Sequence, residues 1–176
     1  MRIPLPPSVQ DRIHLAEQPV VAKPAATIAV VRDGSEGLEV FLMRRQRSMA
    51  FAAGMYVFPG GGVHEEDAEP ISWVGPTPEF FAQRFGCGTE LAHGLVVAAA
   101  RETFEETGVL LAGVDEQTIV PDATEFHDAR RSLEQRDISF REFLHQHGLT
   151  LRADLLGSWS HWITPAFEPR RYDTRF

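Results

Sequence analysis

The sequence predicts a mixed α/β (α+β) layered domain. Short apolar and β-branched runs occupy the first 60 residues, a long helical stretch follows at about 89–107, and shorter helical and strand-like pieces fill the remainder. The chain has 176 residues and a mass of 19.7 kDa, which fits a single domain that can bury a core without staples.

Composition excludes several classes of protein. Cys87 is the single cysteine, so a disulfide scaffold is excluded. The formal net charge of −8 disfavours general binding to nucleic acid. No apolar run approaches the roughly 18 residues that a membrane helix needs. We therefore expect a cytoplasmic protein with no nucleic-acid or membrane partner.

Turn residues divide the first third of the chain into short pieces. Prolines punctuate residues 1–25, which predicts an extended N-terminal arm. Residues 26–32 and 38–44 predict a β-hairpin with a longer loop, and residues 55–58 predict another strand. Pro59 and the glycines 60–62 are expected to end that strand.

The rest of the chain is mainly helical. Helical stretches are predicted at 78–85, 89–107, 123–134 and 139–147. Thr89 is a candidate N-cap for the longest helix, Gly108 its candidate C-terminal residue, and Ser139 or Asp137 a candidate cap for the last helix. Tyr172–Phe176 resembles the start of a strand, so we expect the chain to lack a C-terminal portion.

One helical segment concentrates carboxylates. At about 100° per residue, Glu102, Glu105 and Glu106 fall within an arc of roughly 100° on the predicted helix, whereas Phe104 points to the other side. Oxygen-rich carboxylate clusters are what Mg²⁺ and Mn²⁺ prefer. A solvated acidic face, with Arg101 paired to Glu105 at i+4, is the simpler alternative.

The same segment resembles a known motif. Arg101, Glu102, Glu105, Glu106 and Gly108 match the second half of the Nudix box, R-E-U-x-E-E-x-G-U with U apolar. Thr103 departs from the usual aliphatic residue.

The first half of the box is displaced. In a contiguous box its glycine and glutamate would fall at Cys87 and His93, so the contiguous pattern fails. Instead, Gly61 is followed, after five intervening residues, by the acidic Asp67. The box is thus split by an insertion at 68–89, which either shapes specificity or forms a surface loop.

A split box is typical of one branch of the Nudix hydrolases. The sequence resembles the branch that includes coenzyme A diphosphatases with an interrupted Nudix box, over about residues 26–176. The further stretches that support this resemblance are 41–45, 49–60, 162–165 and 170–174.

The resemblance implies a single Nudix domain over 1–176, with an α/β/α sandwich, a mixed β-sheet and a catalytic helix at about 89–107. It implies a hydrolase that uses Mg²⁺ or Mn²⁺ to cleave the diphosphate of a nucleotide derivative, possible substrates being coenzyme A and acyl-CoA. The small-molecule nucleotide would be the partner, and a homodimer is one assembly that the sequence allows.

The resemblance also implies roles for individual residues. Glu102, Glu105, Glu106 and Gly61 would bind metal. Glu102 or Glu105 would be the catalytic base, and Arg101 would orient the glutamates. Contact with substrate phosphate would fall to Arg44, Arg45 and Gly60, with Arg47 nearby. A solvated basic strand end is the alternative for these arginines, and a tight turn is the alternative for the glycines.

Two residues outside these sets remain open. Asp67 has either a direct role or a structural one. His93 is expected to pack in the core rather than to ligate.

Other functions stay open at this stage. Some Nudix domains bind a ligand without turnover, and others hydrolyse ADP-ribose or NADH. A third reading, isomerisation of a diphosphate ester, needs acid–base groups that we cannot place in this sequence.

Overall fold

The structure of the protein, a computed structural model, describes residues 6–45 and 54–176. The helices are α1 (Pro7–Gln10), α2 (Pro78–Phe85), α3 (Thr89–Thr107), α4 (His127–Glu134) and α5 (Phe140–Gln146). Single 3₁₀ turns lie at Ile13–Glu17, Glu65–Ala68, Thr124–Phe126 and Ala153–Leu155.

The strands are short and scattered along the chain. They are β1 (Lys23–Thr27), β2 (Val31–Gly34), β3 (Gly37–Val40), β4 (Met43–Arg44), β5 (Tyr56–Val57), β6 (Gly60–Gly62), β7 (Trp73–Val74), β8 (Ala112–Gly113), β9 (Thr150–Arg152), β10 (His161–Ile163) and β11 (Tyr172–Arg175).

A mixed sheet forms the first layer. Its order is β10-β11-β1-β6, with β1 parallel to β11 and antiparallel to β6. A second mixed sheet has the order β7-β9-β8. Strands β2 and β3 form a hairpin, and β4 pairs with β5. The predicted mixed α+β class is therefore confirmed.

Helix α3 is the centre of the core. Its segment from Ala92 to Ala100 is almost entirely buried, with His93 the more exposed member. One side of α3 packs on β1 and β6, and other residues join α2, α4 and α5 in the larger apolar cluster. Phe104 is 1% exposed and stacks on Phe143 at 5.2 Å between ring centroids. Tertiary packing thus fixes which face of α3 remains for its carboxylates.

The segment at 68–89, expected to be an insertion, contributes to this core. It contains β7 and α2, and Phe81 of α2 is fully buried beside Trp73. His93 of α3 stacks on the same Trp73 at 5.3 Å, and this confirms that the histidine packs. The segment is therefore more than a surface loop, because its aromatic side chains complete the apolar cluster.

The N-terminal arm is less extended than predicted. Helix α1 and a 3₁₀ turn occupy much of it, and β1 begins at Lys23. The prolines of the arm fit both the helix α1 and the early start of β1, neither of which was predicted. Pro7 stands at the first position of α1, where a missing N–H costs nothing. Pro24 lies inside β1 just before the antiparallel pairing with β6 begins at Ala25.

The predicted hairpin is shorter than expected. The run 26–32 is divided between β1 and β2, and the run 38–44 between β3 and β4. The loop predicted to be longer is a turn of only two residues, 35–36, and Gly37, which begins β3 after it, has a φ of 130° that favours glycine. The strand predicted at 55–58 ends before Pro59 as expected, but the glycines 60–62 that follow form a strand of their own, β6, paired with β1.

Helix ends largely agree with the sequence. Gly88, not Thr89, is the N-cap of α3, and no side-chain hydrogen bond caps this end. Gly108 ends α3 in the left-handed conformation, with φ 78°, and its N–H donates to the carbonyl of Phe104. Of the two candidates, Ser139 and not Asp137 caps α5, in a reciprocal arrangement with Glu142.

Two features of the sequence lie outside the described residues. They are Arg47, a predicted neighbour of the phosphate contacts, and residues 49–53 of the stretch 49–60 that supports the resemblance. Within residues 6–45 and 54–176, no helix has the length and apolarity that crossing a bilayer requires.

The burial of Phe104 gives a first prediction. Phe104→Ala should lower the free energy of unfolding by roughly 3–5 kcal/mol, because it leaves a cavity in the main cluster. Denaturant titration measures this change. The control is Phe80→Ala on α2, whose ring is 41% exposed, with an expected loss below about 1.5 kcal/mol. Equal losses in the two variants would contradict the assigned packing.

Candidate active site

The two separated halves of the motif meet through a buried ion pair. Arg101 donates from Nε to Oδ1 of Asp67 at 2.9 Å and from Nη2 to Oδ2 at 3.0 Å. Both side chains are at most 5% exposed. Nη2 of Arg101 also donates to the carbonyl of Gly62 at 3.0 Å. The 3₁₀ turn at Glu65–Ala68 is thereby fastened to the middle of α3, and Asp67 has the structural role.

The remaining donor of Arg101 faces the glutamates. Nη1 donates to Glu102 at 2.9 Å and to both oxygens of Glu105 at 3.3 Å. Although burial opposes it, the hydrogen bonds and charge of Asp67, joined by the charges of Glu102 and Glu105, raise the pKa of the Arg101 guanidinium. Arg101 therefore stays charged and orients two of the three carboxylates.

Strand β6 brings its glycines against the same carboxylates. The N–H of Gly60 donates to Oε2 of Glu106 at 2.8 Å. A Cβ on Gly61 would collide with the carboxylate of Glu102, so only glycine leaves room for that side chain. The structure thus places Gly60 against Glu106 and Gly61 against Glu102, with β6 facing the glutamates of α3.

The carboxylates are incompletely compensated. Desolvation raises the pKa of Glu105, although Arg101 acts in the opposite direction. Desolvation also raises the pKa of Glu106, opposed by the hydrogen bond from Gly60. Their position near the C-terminal end of α3 adds an unfavourable interaction with the helix dipole. This face would be stabilised by a bound cation.

The donor set suits a hard divalent ion, although the side chains are not arranged around one. Carboxylate oxygens are the ligands that Mg²⁺ and Mn²⁺ favour. In the described part of the chain, no three His, Cys, Asp or Glu side chains converge as a cation site. Arg101 and the Gly60 N–H engage the oxygens instead. Rotation about the glutamate side chains would release them, and the pocket at Gly61 shows that β6 has room for a carboxylate.

The end of α3 is fixed by a residue that sequence reasoning missed. Arg130 of α4 donates from Nε and Nη2 to the carbonyl of Glu105, at 2.8 and 2.6 Å. Thr107 donates its hydroxyl to the carbonyl of Thr103 and accepts the N–H of Val109. The last turn of α3 carries Glu105 and Glu106. It is therefore stabilised by the Thr107 hydroxyl and by the positively charged guanidinium of Arg130. No spacing in the sequence signals the Arg130 contact, because it joins two separate helices.

A cavity of about 480 Å³ adjoins this face. It lies between the turn at Glu65–Ala68, α3 and the connection from α4 to α5, and Glu105 forms part of its wall. Across the cavity, Arg136 donates from Nη2 to Nε2 of His64 at 2.9 Å. Desolvation, with the charge of Arg101, lowers the pKa of His64. Neither Arg136 nor His64 stood out in the sequence.

The predicted phosphate-binding arginines lie further out. The Arg44 guanidinium is 6.0 Å from the ring centroid of Tyr56, a cation–π contact between β4 and β5. The Arg45 backbone N–H donates to the carbonyl of Met55 at 3.0 Å, and its charge acts to lower the pKa of Glu106. Arg45 is therefore electrostatically connected to the acidic face.

Comparisons with known proteins agree with this geometry. The model of the NUDT19 Nudix domain family matches residues 76–176. A crystal structure of a Nudix hydrolase from Alicyclobacillus acidocaldarius superposes with a TM-score of 0.70 at 30% identity, covering 89% of this chain and 68% of that one.

Longer relatives point to the same branch. The acyl-coenzyme A diphosphatase NUDT19 of Xenopus laevis is 24% identical over 182 residues, and that of Gallus gallus is 28% identical over 177. The alignments cover 82% and 78% of this chain, but only 48% and 46% of those proteins. The chain thus spans less than half the length of each of these relatives.

A mixed α+β fold with carboxylates clustered on one helix, opposite a glycine-rich strand, defines the Nudix class. The chain belongs to the Nudix hydrolase superfamily. Within it, the chain is a member of the NUDT19 Nudix domain family, as the split box suggested.

The buried ion pair gives a second prediction. Asp67→Asn should lower the free energy of unfolding by roughly 3–5 kcal/mol, because it removes the buried carboxylate charge that accepts from Nε and Nη2 of Arg101. Denaturant titration of the metal-free protein measures the loss. The matched control is Glu39→Gln in the exposed pair with Arg32, where at most about 1 kcal/mol is expected. A loss no larger than in the control would contradict the role of Asp67.

The raised pKa of Glu105 gives a third prediction, for the metal-free protein. Because the pKa is higher in the folded state than the usual 4.5, the folded state holds more protons just above that value. The Glu105 contribution to stability is therefore present at lower pH and is lost as the pH rises through the folded-state pKa.

Glu105→Gln should remove this loss. We expect its melting temperature to exceed that of the parent at neutral pH, and the difference to shrink as the pH falls toward 4.5. Thermal melts in EDTA across this range measure it. Glu90→Gln, which is exposed on the first turn of the same helix, should show no such trend. A Glu105→Gln variant that melts below the parent at every pH would refute the assignment.

Proposed function

We propose that this protein is a divalent-metal-dependent hydrolase of the diphosphate linkage in a nucleoside diphosphate derivative, with coenzyme A or an acyl-CoA as the substrate. One observation carries the proposal. Arg101, anchored by Asp67, orients Glu102 and Glu105 beside the Gly60 N–H that binds Glu106. This arrangement concentrates negative charge that a metal ion would neutralise.

The acidic face would hold Mg²⁺ or Mn²⁺. Glu102, Glu105 and Glu106 would supply carboxylate oxygens, and Gly61, whose backbone carbonyl is the further proposed ligand, lies against the Glu102 side chain. When bound, such an ion neutralises charge on the diphosphate and makes water a stronger nucleophile. The raised pKa values of Glu105 and Glu106 support this assignment, since a bound cation would lower both pKa values again and favour the carboxylate forms.

The proton of the attacking water would pass to a carboxylate. Glu102 and Glu105 are the candidates for this base, and Arg101 would act by orienting both of them. Glu105 also lines the cavity, where a substrate group has room beside it. Its raised pKa makes it a better proton acceptor than an ordinary surface glutamate.

The choice of coenzyme A or acyl-CoA rests on relatives. Two acyl-coenzyme A diphosphatases align with most of this chain, although the chain spans less than half of each. The proposed substrate contacts are Arg44, Arg45 and Gly60. Two of them lie near the acidic face, because the charge of Arg45 acts to lower the pKa of Glu106 and the Gly60 N–H donates to the Glu106 carboxylate. The expected cytoplasmic location and homodimer stay predictions.

A second candidate function is a ligand-binding Nudix domain that does not turn over. One observation favours it: no three acidic or metal-ligating side chains converge within the described residues. Hydrolysis of another nucleotide, such as ADP-ribose or NADH, is the other alternative. Both alternatives are compatible with the same fold, so only an activity screen distinguishes them from hydrolysis of coenzyme A compounds.

The screen measures phosphate release coupled to a phosphatase. It uses coenzyme A, acetyl-CoA, ADP-ribose, NADH and diadenosine polyphosphates, each with Mg²⁺, with Mn²⁺ and with EDTA. We expect metal-dependent cleavage that is fastest on the coenzyme A compounds. Preference for another nucleotide would contradict the substrate, and no turnover on any compound would favour the sensor.

Carboxylate variants test the chemistry directly. Glu105→Gln and Glu106→Gln should each reduce metal-dependent turnover by at least about a hundredfold, because each removes a ligand charge and not a core contact. Circular dichroism should show unchanged folding. Glu90→Gln on the same helix is the control and should retain full activity. Turnover within a factor of about two of the parent in both variants would refute the role of this face.

A further inference from the structure

Arg136 has an unusual backbone for its residue type. Its φ is 61°, and in the described part of the chain it is the non-glycine residue with a positive φ. The left-handed conformation is unfavourable for a non-glycine residue, because its Cβ comes too close to the backbone. A glycine at this position of the α4–α5 connection would satisfy the turn without that cost. The turn alone therefore does not explain why an arginine stands at position 136.

The contact made by the Arg136 guanidinium supplies part of that reason. One of its five N–H donors bonds to Nε2 of His64, so this imidazole nitrogen is an acceptor. The bond joins the α4–α5 connection to the residue just before the turn that holds Asp67. His64 thereby orients the guanidinium on the wall of the cavity that Glu105 also lines.

The charge of Arg136 is available although carboxylates line the same cavity. Asp67 and Glu105 are bonded to Arg101, and Glu142 accepts the N–H of Ser139. In residues 6–45 and 54–176, no carboxylate oxygen lies within 4.0 Å of the Arg136 guanidinium; its recorded partner is an imidazole.

The other carboxylates of the cavity lie at its edge. Glu65, Glu66 and Asp137 are exposed there, where water and salt screen their charge. Most other arginines of the described chain have an acidic partner, as Arg152 has in Asp154.

We propose that Arg136, oriented by His64, is an anion subsite that binds a phosphate oxygen of the substrate in the cavity beside Glu105. The planar guanidinium fork matches phosphate geometry, and its remaining donors are enough for a bidentate contact. The cavity volume of about 480 Å³ is of the size that holds small-molecule groups. This inference rests on the proposed function for the identity of the ligand as a phosphate compound.

The test measures binding of methylenediphosphonate, a diphosphate analogue whose carbon bridge resists hydrolysis. Calorimetry with the whole protein, in Mg²⁺ and separately in EDTA, compares the parent with Arg136→Gln and Arg136→Gly. Arg131→Gln is the matched control, because Arg131 is an exposed arginine of α4 outside the cavity. Thermal melts of each variant accompany the binding data.

The two variants separate binding from folding. We expect both to weaken binding roughly tenfold to a hundredfold, the usual cost of losing a charged hydrogen bond, and the control to bind like the parent. Arg136→Gly should also melt at or above the temperature of the parent, because glycine relieves the backbone conformation. A purely structural arginine would give the opposite melting result.

Three results would overturn the proposal. These are parent-like binding in both variants, absence of binding by the parent, or a loss of binding that occurs only with a lowered melting temperature in both variants. Because the analogue is not cleaved, the outcome is independent of the phosphate-release screen. A protein that binds through Arg136 but hydrolyses nothing would keep this inference and remove the proposed enzymatic activity.

Discussion

The ion pair between Asp67 and Arg101 is the interaction on which the rest of the site depends. It joins two residues that are 34 positions apart, and it does so with two hydrogen bonds in the interior. Burying two charges is costly unless every donor and acceptor is satisfied. Here the carbonyl of Gly62 and the N–H of His64 complete the network, so the turn after β6 can lie only in one position on α3.

This constraint explains how a split motif still builds one site. Once the turn is fastened, β6 lies against the last turns of α3, and the Gly60 N–H and the open space at Gly61 face the glutamates. The segment between the two halves of the motif forms β7 and α2 beside this site, and Phe81 of α2 is buried in the core. Its length is therefore absorbed without moving the acidic face.

Packing also explains why the end of α3 tolerates its charge. The buried side of the helix, ending in Phe104, contributes stability that repulsion among the carboxylates does not remove. Arg101 offsets part of the repulsion from within the helix. Arg130 adds a cation at the carbonyl of Glu105, where the helix dipole is negative. The remaining uncompensated charge is what a divalent ion would meet.

The sequence was sufficient for the parts of this account that depend on local pattern. Helix α3 ends at Thr107 as its C-terminal glycine predicts, and the i, i+3 and i+4 spacing puts three glutamates on one face of it. Capping by Ser139 was also predictable, because the cap lies within four residues. The glycine strand β6 was missed, since its pairing with β1 depends on a distant segment.

The contacts of Arg130 and Arg136 could not be predicted for the same reason. Each joins elements that are far apart in the chain, and an arginine has no local signature for its partner. The N-terminal arm was mispredicted because proline excludes some conformations without requiring an extended one.

The most direct test of this account is an electron paramagnetic resonance titration of Mn²⁺ into the metal-free protein. If this face of α3 holds a divalent ion, Mn²⁺ should bind saturably and be displaced by Mg²⁺, with the binding strongly weakened in Glu106→Gln and unchanged in Glu90→Gln. Mn²⁺ that stays free in the presence of the parent protein, or that binds the parent and Glu106→Gln equally well, would contradict the claim that this face of α3 holds a divalent ion.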